Sequence, residues 1–128
     1  MNASVAIQVL PKVATNEETI QVVDAVITFI KTFDVNVEVG PFETTIEGDY
    51  DVLMEIVKGC PKVCVEAGAP GAMTYVKINY VPTGVLTIKE KCAKYRERNE
   101  QKEKVRINLS KGQILNKTKI KVASVLIF

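Results

Sequence analysis

The centre of the chain reads Val35-Asn-Val-Glu-Val-Gly-Pro-Phe-Glu-Thr-Thr-Ile-Glu-Gly48. Its first five residues alternate valine with asparagine or glutamate, and this two-residue period is typical of a β-strand. The Gly-Pro pair at positions 40 and 41 predicts a turn, and Phe42 to Glu47 predicts another strand. The simplest structure for this stretch is therefore a β-hairpin.

The segment before the hairpin predicts a strand followed by a helix. Residues Ser4 to Leu10 alternate in the same way, and Pro11 ends that strand. Thr15 and Glu18 form a capping box, and apolar residues then recur at helical spacing as far as Phe33. An amphipathic helix is therefore expected between the first and second strands.

The segment after the hairpin predicts a helix and then a strand. Asp49 is a good N-cap, and the apolar stripe that follows ends at Gly68, with a kink expected near Cys60 because a glycine and a proline flank it. Tyr75 to Val81 alternates as a fourth strand. The order βαββαβ over residues 4 to 81 is typical of an α+β ferredoxin-like sandwich, in which two helices cover one face of a four-stranded antiparallel sheet.

Charge divides the chain into two parts. Residues 1 to 88 hold 5 Lys and Arg against 11 Asp and Glu, whereas residues 89 to 128 hold 12 against 4. Charge blocks of this kind often mark tails or exposed surfaces. We therefore predict a ferredoxin-like domain at residues 1 to 98 and a basic C-terminal extension at residues 99 to 128.

The C-terminal part contains its own helix and strand signals. Thr87 and Glu90 form another capping box, which predicts a third helix. The runs Val105 to Leu109 and Ile120 to Phe128 resemble strands. The βαββαβ pattern offers no place for these last two runs.

Composition limits the function classes. A chain of 128 residues with 47% hydrophobic side chains suffices for one domain. It has no basic leader and no run of roughly 20 apolar residues, so we expect a cytoplasmic protein with reduced cysteines. Cys60 and Cys64 lie one helical turn apart, but the chain has no histidine, so we expect neither a metal nor a cofactor. No nucleophile lies in a motif with a base, and we expect no enzymatic activity.

The sheet face that the helices leave uncovered is where candidate binding residues are expected. Alternation places Gln8 and Lys77 on that face. The third strand divides its side chains between the two faces, with Glu43, Thr45 and Glu47 on one and Phe42, Thr44 and Ile46 on the other. A bulge after the Gly-Pro turn could shift this phase, so both threonines are candidates.

Several segments resemble a family of small bacterial and archaeal thiamine-binding, ferredoxin-like proteins, which bind thiamine or its hydroxymethylpyrimidine part. The Thr-x-x-Glu-Gly pattern from Thr44 to Gly48 is the most specific of them. The resemblance extends to about Arg98, and the tail beyond residue 100 departs from it. The other matching segments are Ser4-Val-Ala-Ile-Gln-Val-Leu-Pro11, Gly40-Pro-Phe-Glu43, Leu53-Met-Glu-Ile-Val-Lys58, Glu66-Ala-Gly68 and Val76-Lys-Ile-Asn-Tyr80.

The resemblance implies a dimer or tetramer without catalytic activity, in which polar sheet faces or neighbouring edges enclose a ligand. A 4-aminopyrimidine presents an amine donor beside a ring-nitrogen acceptor. A carboxylate such as Glu47 can accept from the amine, and a hydroxyl such as Thr44 or Thr45 can donate to the ring. Phe42 suits a stacking role on the flat face of the ligand.

The thiazolium ring of thiamine is a permanent cation. Glu43 or Glu47 could neutralise it, and an aromatic ring could attract it through a cation–π contact. Gln8 and Lys77 are lesser candidates for the polar lining. The sequence has no Gly-rich phosphate cradle, which favours unphosphorylated thiamine over its pyrophosphate.

Other interpretations of these residues stay open. Thr44 to Gly48 could be an ordinary strand end that turns into a capped helix, and Phe42 could belong to the core. The basic C-terminal segment could bind nucleic acid, although the first strand has no aromatic residue of the kind that RNA-binding sheets use. A structural or regulatory self-association module is the third alternative.

Overall fold

A computed structural model describes residues 1 to 110, apart from the side chain of residue 98. Within that range, four strands and three helices follow one another. The elements are β1 (Ala3–Pro11), α1 (Asn16–Ile30), β2 (Asn36–Val39), β3 (Thr44–Gly48), α2 (Tyr50–Glu66), β4 (Ala72–Tyr80) and α3 (Ile88–Ser110). The predicted βαββαβ order and the third helix are confirmed.

The strands form one antiparallel sheet in the order β2-β3-β1-β4. Strand β1 lies in the middle and pairs with β4 over all nine of its residues. Its pairing with β3 is shorter and runs only from Ala3 to Ile7. The last part of β1 therefore continues beyond the end of β3, and this difference in length shapes the site described below.

The core lies between the sheet and helices α1 and α2. Ala3, Val5 and Ile7 of β1 and Ile46 of β3 are buried, as their alternation predicts. The two helices contribute the buried residues at their helical spacing: Val22, Val26, Ile30, Leu53, Ile56, Cys60 and Cys64. The α+β sandwich predicted from the sequence is confirmed.

Helices α1 and α2 begin with side-chain caps at the residues that the sequence predicted. The Thr15 hydroxyl accepts from the Glu18 backbone N–H at 3.2 Å, and the Glu18 carboxylate accepts from the Ala14 N–H at 3.2 Å. Asp49 caps α2 by accepting from the Val52 N–H at 3.4 Å. These contacts satisfy backbone donors that have no partner inside the helix.

Helix α2 continues through Pro61 without ending. Two residues before Pro61, Gly59 allows the two helices to approach closely, because a Cβ at this position would overlap the Phe29 ring of α1. Phe29 in turn packs edge-on against Phe33, with 5.2 Å between the ring centroids.

The prediction of a strand at Val105 to Leu109 is wrong, because this run belongs to α3. The residues before it are mainly Glu, Lys, Arg and Gln, which favour a helix, and the helix continues through the short alternating run. The run Ile120 to Phe128 lies outside the described residues. Residues Met1–Val85 form one compact unit, and α3 belongs to a second unit that begins at Leu86.

Candidate functional site

One sheet face packs on α1 and α2, and we call the opposite side the outer face. Five of the residues predicted from the sequence lie on the outer face: Gln8, Glu43, Thr45, Glu47 and Lys77. The middle strand places small residues among them, with Ala6 between Thr45 and Lys77 and Ser4 beside Glu47. The third strand therefore divides its side chains between the two sheet faces as the sequence predicted.

Glu47 is the most buried charged residue of this group, with 3% of its surface exposed. Its Oε1 accepts a hydrogen bond from Asn36 Nδ2 at 3.2 Å, and its neighbour Ser4 is also buried. A buried carboxylate needs such partners, because desolvation without them is costly. Glu47 therefore has a structural role, in which its hydrogen bond to Asn36 links β3 to β2.

Glu43 and Lys77 form an ion pair that spans the middle of the sheet. Lys77 Nζ lies 3.1 Å from Glu43 Oε1, and the two side chains are 76% and 37% exposed. Because β1 lies between β4 and β3, the lysine side chain extends across β1 to reach this carboxylate.

Thr44 and Phe42 lie apart from the outer-face group. Thr44 is buried on the helix face, where it is paired with Ile7 of β1 and Val39 of β2. Phe42 lies in the connection between β2 and β3 and is 81% exposed. Since Thr44 and Glu47 lie on opposite faces of the sheet, one pyrimidine ring cannot contact both side chains.

A cavity of about 230 Å³ opens where β1 outruns β3. It is bounded by the last part of β1, by the β2–β3 connection and by one face of α1. Four of the predicted residues line it: Gln8, Phe42, Glu43 and Thr44. Aliphatic residues form the remaining wall, chiefly Ile7, Val9, Val39, Val23, Val26, Ile27 and Ile30.

The cavity combines an apolar wall with a few polar groups, which is the usual character of a small-molecule site. Thr44 offers a hydroxyl on the helix face, whereas Gln8 and Glu43 lie on the outer face and border the cavity at its edge. The end of β1 that extends past β3 adds backbone groups to the same wall, because the β3 ladder stops at Ile7.

The contribution of α1 was missed by the sequence analysis. The sequence indicated an apolar stripe of α1 at Ile20, Val23, Ile27, Ile30 and Phe33, but the buried residues of this helix are Val22, Val26 and Ile30, and Ile20 is 60% exposed. Val23 and Ile27 of the predicted stripe line the cavity, together with the buried Val26 and Ile30.

The cysteines of α2 have the properties of core residues. Cys60 and Cys64 are fully buried. Burial, with a smaller contribution from Cys64, raises the pKa of Cys60 to about 12, and burial also raises the pKa of Cys64. Both thiols are therefore protonated at neutral pH, and a protonated thiol is a poor nucleophile and a poor metal ligand.

Residues 1 to 110 contain neither a cluster of metal-binding side chains nor a helix that could cross a membrane. No group of three or more His, Cys, Asp or Glu side chains in this range could hold a metal ion. Among the described helices, none has the length and hydropathy that crossing a membrane requires.

Comparison with known proteins gives consistent matches to most of the chain. The model of the family described as thiamine-binding protein matches residues 5–96. A UPF0045 protein of Clostridium perfringens is 46% identical over 93 residues, which cover 73% of this chain and 96% of the relative.

Solved structures of similar proteins also superpose on most of the chain. A domain of unknown function from Bacillus cereus is 39% identical and superposes with a TM-score of 0.67, covering 74% of this chain and 90% of that one. A Thermotoga maritima protein, proposed to act in thiamine biosynthesis or salvage, is 33% identical with a TM-score of 0.66, covering 74% and 99%.

Proposed function

Because the chain belongs to the family of thiamine-binding proteins, we propose that it binds thiamine or its hydroxymethylpyrimidine part without transforming it. The observation that carries the proposal is the cavity beside the end of β1, which collects Gln8, Phe42, Glu43 and Thr44. A sensor, carrier or storage role in a homo-oligomer is consistent with binding alone.

The size of the cavity favours a ligand with one ring inside. Pockets for drug-sized molecules usually occupy about 300–1,000 Å³, and this cavity has about 230 Å³. The whole hydroxymethylpyrimidine molecule would fit inside this volume, whereas thiamine would place its pyrimidine ring inside and its thiazolium ring at the rim.

The pyrimidine has matching partners in the cavity. The Thr44 hydroxyl would donate to a ring nitrogen, and a backbone carbonyl of β1 beyond Ile7 would accept from the exocyclic amine. The aliphatic side chains of α1 would contact the ring face. A hydroxyl buried beside an apolar wall gains most from such a ligand, because the ligand supplies a partner where water has little access.

The rim suits a cation. Phe42 is 81% exposed there, so its ring face is available to a thiazolium through a cation–π contact. Glu43 supplies a negative charge on the same side. In this proposal Glu47 and Thr45 lie on the outer face and do not contact the ligand. Lys77 affects binding only through its ion pair with Glu43.

The lack of reactive thiols in α2 supports binding rather than catalysis. Cys60 and Cys64 are buried, and their raised pKa values keep them protonated. Glu43, the carboxylate that lines the cavity, forms an ion pair with Lys77, so it does not by itself indicate acid–base chemistry.

The first test is calorimetric titration of the full chain with thiamine, hydroxymethylpyrimidine and thiamine pyrophosphate. We expect saturable binding of thiamine with a micromolar or lower Kd, which corresponds to roughly −8 kcal/mol. The pyrophosphate should bind more weakly, because its two phosphates meet a carboxylate at the rim. Absence of binding by both thiamine and hydroxymethylpyrimidine would contradict the proposed function.

Two neighbouring threonines provide a matched pair for locating the site. Thr44→Val removes the hydroxyl that lines the cavity, and we expect affinity for thiamine to fall by about tenfold or more. Thr45→Val makes the same chemical change on the outer face and should leave affinity unchanged. Equal losses in both variants would contradict the cavity as the binding site while leaving the function standing.

A further inference from the structure

Helix α3 is strongly basic, and its charges are not evenly spread around the helix. Ile88–Ser110 holds eight Lys and Arg against four Glu. An α-helix turns once in 3.6 residues, so residues three, four, seven or eight positions apart lie on the same side. This spacing determines which charges of α3 can act together on a partner.

One side of α3 is basic and carries no acidic residue. Lys91 and Lys94 are three positions apart, Lys102 follows eight positions later, and Arg106 follows four positions after that. These intervals keep the four side chains on one side along roughly 22 Å of the helix. Lys91 is partly exposed and the other three are exposed. We call these four residues the basic face.

The opposite side of α3 carries both signs of charge. Three basic residues lie there among the four glutamates of the helix: Lys89, Arg96, Lys104, Glu90, Glu97, Glu100 and Glu103. At the border between the two sides, Arg106 Nη1 lies 3.3 Å from Glu103 Oε2, but both side chains are mainly exposed, so this ion pair is weak. The positive charge of α3 is therefore concentrated on the basic face.

The middle of α3 has no apolar residue. From Arg96 to Lys104 every side chain is charged or an amide. A helix that lies in a membrane surface needs an apolar side to insert into the lipid, and a coiled coil needs apolar residues in every heptad. The basic face therefore suits a partner that is recognised by charge.

We propose that the basic face of α3 binds the phosphate backbone of duplex DNA without reading its sequence. Duplex DNA carries one negative charge for about every 1.7 Å of its axis, so it offers several phosphates to a basic face of this length. Its major groove is wide enough to admit an α-helix. The proposal does not depend on the ligand of the cavity.

Two other nucleic acids fit α3 less well. Single strands are usually held by aromatic side chains on which their bases stack, and Tyr95 is the single aromatic residue between Ile88 and Ser110. Duplex RNA has a deep and narrow major groove, which admits a helix poorly. Residues 1 to 88 do not add to the attraction, because they hold 5 Lys and Arg against 11 Asp and Glu.

The salt dependence of binding by the full chain tests the proposal. Fluorescence anisotropy with a labelled DNA duplex of mixed sequence should give a micromolar Kd at about 50 mM salt. Four neutralised phosphates predict a slope of log K against log salt between about −3 and −4, or a loss of roughly 100-fold in affinity between about 50 and 200 mM.

Two double variants that remove the same charge locate the contact. Lys94→Gln with Lys102→Gln changes the basic face, and Lys89→Gln with Lys104→Gln changes the opposite side; all four lysines are exposed. The first pair should raise the Kd by about tenfold or more and reduce the salt slope by about two. The second should raise the Kd by less than about threefold and leave the slope unchanged.

Three comparison probes test the choice of partner. Single-stranded DNA, duplex RNA and vesicles that contain phosphatidylserine should each bind more weakly than duplex DNA. Circular dichroism of both double variants verifies that the helix is intact. Absence of binding at about 50 mM salt would overturn the proposal, since charge attraction is strongest there. Equal losses in the two double variants, or tighter binding of any comparison probe, would overturn it as well.

Discussion

Lys77 of β4 crosses over β1 and holds its Nζ 3.1 Å from Glu43 Oε1, at the border of the cavity. The pair is largely exposed, so it adds little to the stability of the fold. Its position has a larger consequence for binding, because a cationic ligand at the rim must compete with Lys77 for the same carboxylate.

Lys77→Met should therefore change the affinity for charged and neutral ligands differently. We expect affinity for thiamine to rise by between about 1.5-fold and 5-fold, since the exposed ion pair no longer opposes the thiazolium. Affinity for hydroxymethylpyrimidine should not change, because this ligand carries no permanent positive charge. Calorimetric titrations with both ligands in one buffer provide the measurement.

Two further variants control this experiment. Glu43→Gln should weaken thiamine binding and abolish the effect of Lys77→Met in the double variant, since the carboxylate is the shared partner. Lys58→Met removes an exposed lysine of α2 and should leave both affinities unchanged. A similar rise for thiamine and hydroxymethylpyrimidine would show that charge competition is not the cause.

Glu47 is expected to matter for folding more than for binding. Glu47→Ala should lower the free energy of unfolding by about 1–3 kcal/mol, because it removes a buried acceptor and leaves Asn36 without this hydrogen bond. Affinity for thiamine should stay within twofold of the original. Urea denaturation and calorimetry measure the two quantities.

The exposed Glu55 of α2 supplies the control, since Glu55→Ala should change the free energy of unfolding by less than about 0.5 kcal/mol. A large loss of affinity in Glu47→Ala, with stability preserved, would move the binding site to the outer face.

The fold could be predicted from local features because they agree with one another. The alternation of Ser4 to Leu10, the capping box at Thr15 and the N-cap at Asp49 each indicate the element that the structure contains. These signals depend on residues a few positions apart, and the hydrophobic period then determines which side faces the core. The same alternation correctly separated Thr44 from Thr45.

The cavity could not be predicted in this way. It exists because pairing between β1 and β3 stops at Ile7 and Thr44, while β1 continues to Pro11 beside β4. Where a ladder stops depends on how long strands meet in three dimensions, and no local period records it. The strand predicted at Val105 to Leu109 failed for the opposite reason, because a local alternation was overridden by the helix around it.

Gly59 should be intolerant of any side chain as long as Phe29 is present. Alanine favours a helix over glycine by about 1 kcal/mol, but its Cβ would overlap the Phe29 ring. We therefore expect Gly59→Ala to lower the free energy of unfolding by about 1–3 kcal/mol, as overpacking usually does. Chemical denaturation measures the change.

The sign of this effect should reverse when the ring is removed. In a Phe29→Leu background, Gly59→Ala should be neutral or stabilising, because only the helix preference remains. Gly71→Ala is the control, since its Cβ would lie 3.7 Å from Lys12 Cδ, an ordinary contact. A loss of stability that persists in the Phe29→Leu background would show that another neighbour sets the restriction.

Cys60 should make stability depend on pH in the alkaline range. Burial, reinforced by Cys64, raises its pKa from the ordinary value of 9.0 to about 12. Above pH 9 the unfolded chain loses this proton while the folded chain keeps it, so the unfolded state binds fewer protons and the free energy of unfolding decreases. The contribution is fully present below pH 9 and is lost as the pH rises toward 12.

Cys60→Ala should therefore be less stable than the original chain at pH 7 but should lose stability less steeply between pH 9 and pH 11. The first effect reflects lost core packing, and the second reflects the missing thiol. Urea denaturation at a series of pH values measures both, and Cys92→Ala in α3 serves as the control. Parallel stability curves for the original chain and Cys60→Ala would show that Cys60 does not cause the alkaline loss of stability.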